Sequence, residues 1–133
     1  MRRQKIVFLF LLSVFFLQCK QEDTYKQGKA LYLNNCAACH MDDGTGLGAL
    51  IPPLAQSDFL QKNNKKLACI IRNGIADTIM VNGVKYTEKM NGLKKMTPES
   101  MVNVINYINN AWGNNIPFIT LKEVNFALKS CAE

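Results

Sequence analysis

The chain has 133 residues, 48% of them hydrophobic and 20% charged, which is enough for one domain with a single core and shows neither an internal repeat nor a second domain. Its formal charge of +6 does not point to nucleic acid: Arg2, Arg3 and Lys5 supply half of it, and the chain beyond residue 18 carries only +3.

Residues 1–5 are basic, and residues 6–17 form an apolar run of twelve broken only by Ser13. This is the pattern of an export signal, and the run is shorter than the ~20 residues that span a bilayer. It ends at Phe16-Leu17-Gln18-Cys19, which resembles the cleavage box of bacterial lipoproteins with Cys19 as the lipidated residue, although Gln18 stands where that box has a small residue. The reading is therefore a lipoprotein-type signal peptide over 1–18, a polar tether over 19–23, a main domain over 24–114 and a helical extension over 115–133. Ordinary signal cleavage and an uncleaved anchor are the alternatives. An exported protein on the periplasmic side of a bacterial membrane, held there by lipid, is the expected location.

Thr24 and Gln27 have the spacing of a capping box, so a helix is expected from there to the next cysteines. Gly28 lies inside it at a cost of about 1 kcal/mol relative to alanine, which a closely crossing second helix would explain.

Cys36-Ala37-Ala38-Cys39-His40 follows. Two thiols three residues apart, with a histidine directly behind, form the attachment pattern of a c-type haem. On a helical turn both sulfurs project to one side, where each can form a thioether with a porphyrin vinyl group, and His40 can ligate the iron as proximal ligand. Zinc would need about four nitrogen or sulfur ligands, but His40 is the only histidine and Cys19, Cys69 and Cys131 are scattered singly. A thioredoxin-like redox pair would sit between a strand and a helix, whereas these flanks read as helix and glycine loop.

Residues 42–48 hold Gly44, Gly46 and Gly48 and read as a loop leading into Ile51-Pro52-Pro53-Leu54. That stiff segment lacks two backbone donors, and its free carbonyls suit the second nitrogen of His40. A helix is expected from Asn64, with Leu67, Ile70 and Ile71 on one face and Asn73-Gly74 as its stop. Residues 79–86 flank Asn82-Gly83, the favoured two-residue hairpin turn, and should form the only sheet in an otherwise all-α chain. Thr97-Pro98-Glu99 starts the most amphipathic helix, with Met101, Val104, Ile105, Ile108, Ala111 and Trp112 on its core stripe and Gly113 at its end. Thr120 and Glu123 form a second capping box, with Ile119 and Val124 as its hydrophobic staple and Leu121, Val124, Leu128 and Cys131 on one face.

Taken together, the glycine-bearing first helix, Cys36, Cys39 and His40, the loop ending at Ile51-Pro52-Pro53-Leu54, Asn73-Gly74-Ile75, Val81-Asn82-Gly83 and the closing Tyr107-Ile108 with Trp112-Gly113-Asn114 resemble the monohaem class I cytochrome c family. The likeness covers residues 25–114. It implies a helical fold wrapped around one haem c, first and last core helices crossing near Gly28 and Tyr107, and Pro52 as the proline whose carbonyl meets the proximal histidine.

For the sixth iron position, Met41 is too close to His40 to reach the opposite face, and Met96 and Met101 are accounted for as staple partners around Thr97. Met80 falls in the hairpin. Met90, beside Asn91-Gly92 in a polar stretch, has no packing periodicity, and the resemblance places the ligand methionine just ahead of the last core helix. Met90 is the leading candidate, although Asn91 stands where those proteins usually have proline; Met80 and an open position are the alternatives.

Cys69 and Cys131 then remain, either as a disulfide or as two small buried hydrophobes. The function so implied is electron transfer, with iron cycling between ferrous and ferric and no catalytic residues, toward redox partners such as a dehydrogenase, oxidase or reductase. A cytochrome subunit of a larger oxidoreductase, and a five-coordinate haem enzyme or gas-binding protein, are the competing readings. Lys62, Lys65, Lys66, Lys85, Lys89, Lys94 and Lys95 offer either a docking ring for an acidic partner or an ordinary solvated face.

Overall fold

The computed structural model describes residues 25–131. The expected signal peptide over 1–18, Cys19, the expected tether and Thr24 lie outside them. In chain order the elements are α1 (Lys26–Asn35), α2 (Ala37–His40), α3 (Asp58–Lys62), a 3-10 turn (Asn64–Lys66), α4 (Leu67–Asn73), β1 (Gly74–Ile75), β2 (Ile79–Val81), β3 (Val84–Tyr86), β4 (Met90–Asn91), α5 (Pro98–Asn110) and α6 (Leu121–Ser130). No helix of the described residues is long and apolar enough to cross a membrane.

The main core helix is α5. Thr97 accepts the Ser100 N–H at its start, Pro98 fills the first turn, and Met101, Val104, Ile105 and Ile108 are buried against Tyr32, Leu60, Leu67, Ala68 and Ile71. It ends at Asn110, earlier than the apolar stripe suggests, because Ala111 turns extended and Trp112 and Gly113 adopt φ 52° and 80°. The Asn114 amide explains the stop: its Nδ2 donates to the Ile108 carbonyl at 2.8 Å and to the Leu54 carbonyl at 3.0 Å, occupying an acceptor that another helical turn would have used.

α1 crosses α5 at Gly28, where a Cβ would collide with the Asn103 carbonyl oxygen and stand 2.7 Å from the Tyr107 Cβ. The first helix is capped at Tyr25, one residue later than the expected Thr24, and the Gln27 side chain accepts the Asn103 amide at 3.2 Å across this crossing. Gly28→Ala gains about 1 kcal/mol of helix propensity but loses roughly 3 kcal/mol by overpacking against backbone that cannot swing away. The expected net loss of about 2 kcal/mol should appear in denaturant unfolding as a lower midpoint at unchanged slope.

β2 and β3 form the hairpin, with Asn82 and Gly83 at φ 50° and 78° in its turn. Asp58 and Asn82 exchange two hydrogen bonds of 2.7 and 3.0 Å that fasten the turn to α3. A second ladder, β1 with β4, corrects the expectation of a single sheet. Two-residue strands carry no readable period, and this pairing depends on Gly74 and Gly92: a Cβ on Gly92 would stand 2.5 Å from the Arg72 oxygen and the Asn73 carbonyl carbon.

The segment after Asn114 is docked by polar side chains of α5. Buried Asn106 donates to the Ile119 carbonyl at 2.9 Å and accepts its N–H at 2.8 Å, as a paired strand would, while Asn109 donates to Asn64 at 2.9 Å and to Pro117 O at 3.2 Å. Thr120 and Glu123 form the capping box of α6, whose Val124 and Ala127 are buried. Leu121, expected on that buried face, is exposed. Cys131 is joined to Cys69 of α4, with their Cα atoms 5.9 Å apart.

Candidate haem site

The site begins where α1 stops. The Cys36 N–H still donates to the Tyr32 carbonyl at 2.8 Å, but Cys36 itself leaves the helical region at φ −123°. The short helix α2 restarts at once, with the Cys39 and His40 amides donating to the Cys36 carbonyl at 3.1 and 2.9 Å. Cys36 and Cys39 are free thiols on this turn, the first half-buried and the second exposed. Burial, with a smaller contribution from Cys39, pushes the Cys36 thiol up to about 11. A thioredoxin-like nucleophile needs the opposite shift, toward a stabilised thiolate.

His40 is half-buried, and its Nδ1 lies 3.1 Å from the Pro52 carbonyl oxygen. A carbonyl can only accept, so Nδ1 carries the proton and Nε2 keeps a free lone pair. Burial lowers the His40 pKa, and the bond to Pro52 opposes this in part. The ring is thus neutral at pH 7 and presents Nε2 as a metal donor.

The loop that returns Pro52 to the histidine is tightly folded. The Gly46 N–H donates to the His40 carbonyl at 3.1 Å, the Leu47 N–H to Ile51 O at 2.9 Å, and the Leu54 and Ala55 amides to Gly44 O at 2.8 and 2.9 Å. Gly46, at φ 72°, is required here, because a Cβ would stand 2.7 Å from both C and O of Pro52. From the sequence Gly46 reads only as a loop glycine, because what a Cβ there would meet depends on where the loop returns.

Several features fit a haem. Two unpaired thiols face one turn, the adjacent histidine has its distal nitrogen free, and its proximal nitrogen is held by a carbonyl that raises ligand basicity. Leu47 and Leu50 on the loop, and Met80 and Val84 on the hairpin, are left 46 to 55% exposed, although the Tyr86 hydroxyl reaches Gly48 O at 3.5 Å and brings the two segments side by side. Uncovered apolar side chains on neighbouring segments suit a flat apolar ligand.

Met90 lies on β4, half-buried, in register with Ile75 of β1. The polar stretch that holds it is thus anchored by a strand pair. Met80 is exposed on β2, outside the core. Met101 is wholly buried, and Met96 packs at the edge of the core with its carbonyl accepting from Arg72 at 3.1 Å.

The cytochrome c family model matches residues 25–112. The chain belongs to the cytochrome c family. Covalently bound haem c and electron transfer come with that membership. The chain is 30% identical over 118 residues to cytochrome c-552 of Thermus thermophilus, covering 86% of this chain and 74% of that protein. It is 36% identical over 93 residues to the cytochrome c subunit of the quinone-dependent alcohol dehydrogenase of Gluconobacter oxydans, which covers 68% of this chain and only 19% of that subunit. The cytochrome c subunit of gluconate 2-dehydrogenase from Pantoea cypripedii is 28% identical over 106 residues, 77% of this chain and 24% of the subunit. This cytochrome therefore spans a minor part of the dehydrogenase subunits it matches. The segment beyond residue 112, which Asn106 and Asn109 of α5 hold and which includes α6, lies outside the family match.

Proposed function

We propose that this cytochrome is an exported single-electron carrier, tethered by lipid at Cys19, that passes electrons between redox proteins at the periplasmic side of a bacterial membrane. The observation that carries the reading is the neutral His40, held at Nδ1 by Pro52 with Nε2 free, beside two unpaired thiols. Bound haem would supply one reversible electron at iron. Cys36 and Cys39 would hold the porphyrin through thioethers, and His40 and Met90, the latter from β4, would be the ligands to its iron. A thioether there favours ferrous iron and leaves no vacancy for substrate, which suits a carrier.

The seven lysines named above are all exposed. Lys62 is engaged with Asp58 at 2.8 Å, which leaves the other six to steer an acidic partner. A permanent place in a larger oxidoreductase uses the same residues, and the names of the dehydrogenase subunits favour it as a second reading. Carbon monoxide added to the reduced holoprotein tests the ligation: the spectrum should remain that of a six-coordinate cytochrome. An immediate and complete shift would assign the protein to the gas-binding or enzymatic class instead.

A further inference from the structure

We infer that the hydroxyl of Tyr32 is a positioning group for the proximal histidine, acting through the carbonyl of Met41. The inference rests on His40 as proximal ligand and assigns a further residue to that side of the iron.

Met41 follows His40 directly and has φ 62° and ψ 160°. That region is accessible essentially only to glycine and costs a side-chain-bearing residue about 1–3 kcal/mol, so it persists only where surrounding bonds impose it. The Tyr32 hydroxyl donates to the Met41 carbonyl at 2.6 Å, and the Gly44 N–H donates to the same oxygen at 3.1 Å. Tyr32 is wholly buried, with ring centroids 5.5 Å from Tyr107 and 4.8 Å from Trp112, so its hydroxyl has a fixed direction. Trp112 in turn lies against Gly44, where a Cβ would stand 2.5 Å from its ring. Burial, with smaller contributions from Cys36 and Tyr107, holds the phenol far above its usual pKa and keeps it a donor.

The consequence reaches His40 by a short path. Met41 sets the direction in which the chain leaves α2, Gly44 carries the return of Leu54 and Ala55 on its carbonyl, and Pro52 lies between Gly46 and those bonds. Loosening Met41 frees the base of the loop that presents the Pro52 carbonyl to Nδ1. A weaker Nδ1 hydrogen bond makes the imidazole a poorer donor to ferric iron.

Tyr32→Phe in the full-length holoprotein tests this, since it keeps the ring and removes only the hydroxyl. Amide exchange at Gly44 and Gly46 should accelerate about fivefold, the size of one lost hydrogen bond, while Val104, Ile105 and Ile108 of α5 stay unchanged. At a fixed ambient potential the ferric-to-ferrous ratio should shift about threefold toward ferrous. Unchanged exchange and potential would overturn the inference, as would a uniform acceleration that includes α5, which is the mark of a merely structural role. The unaltered holoprotein gives a second test that needs no variant: the Tyr32 hydroxyl proton should appear as a slowly exchanging resonance close to Met41, and its absence counts against the bond. The spectrum of the same unaltered protein reports histidine ligation separately, so failure of the ligand assignment and failure of the Tyr32 assignment are distinguishable.

Discussion

Serine in place of Cys131 is expected to lower the unfolding free energy by about 4 kcal/mol, from the loop-closure entropy that a bridge across 62 residues removes from the unfolded chain. The size follows from chain length and not from local contacts. Without the bridge, α6 is held by Val124, Ala127 and the polar clamps of Asn106 and Asn109, and the unfolded chain regains the freedom that the bond denied it. The Cys69→Ser protein should unfold at the same denaturant concentration as Cys131→Ser, because both open the same loop. Exchange of the α6 amides should rise before that of α5. Two free thiols in the denatured, unreduced wild type, or unfolding midpoints that ignore reductant, would mean that Cys69 and Cys131 act as separate small hydrophobes.

Met90→Ala is expected to abolish the long-wavelength sulfur-to-iron band of the oxidised protein. It should also lower the reduction potential on the order of 0.2 V, a fraction of the ~0.8 V that axial ligands span. Loss of the thioether removes a ligand that favours ferrous iron, so the sign is downward. β4 is held by backbone pairing with β1, so the substitution should leave that ladder and the fold intact. Met80→Ala on the exposed hairpin should leave the band as it is. A Met90→Ala protein that keeps the band would transfer the sixth position to another residue.

Much of the fold was legible because its signals are local or chemically specific. Thr97 and Thr120 announce helix starts through caps whose geometry is set within four residues, and Asn82-Gly83 announces a turn that few other residue pairs can make. Gly28 foretold a close helix crossing because a glycine inside a helix has a cost that only packing offsets.

What escaped was held by contacts distant in sequence or too short to show a period. The β1–β4 ladder has two residues on each side, and α3 has five residues behind a Ser57 cap. Asn114 cuts α5 short through bonds to carbonyls six and 60 residues away. Asn106 imitates a strand partner for Ile119, and no pattern in the sequence marks an asparagine for that task. At the site, the cysteines and His40 stood out by spacing alone. Gly46 and Tyr32 did not, because their importance lies in where the loop returns.

The central claim is that Cys36 and Cys39 together hold one haem beside His40, and the mass of the denatured holoprotein tests it most directly. After acid denaturation and solvent extraction, the proteolytic peptide containing Cys36, Cys39 and His40 should carry the full mass of one haem, with neither thiol open to alkylation. An unmodified peptide with two alkylable cysteines, and haem recovered in the solvent, would contradict the account.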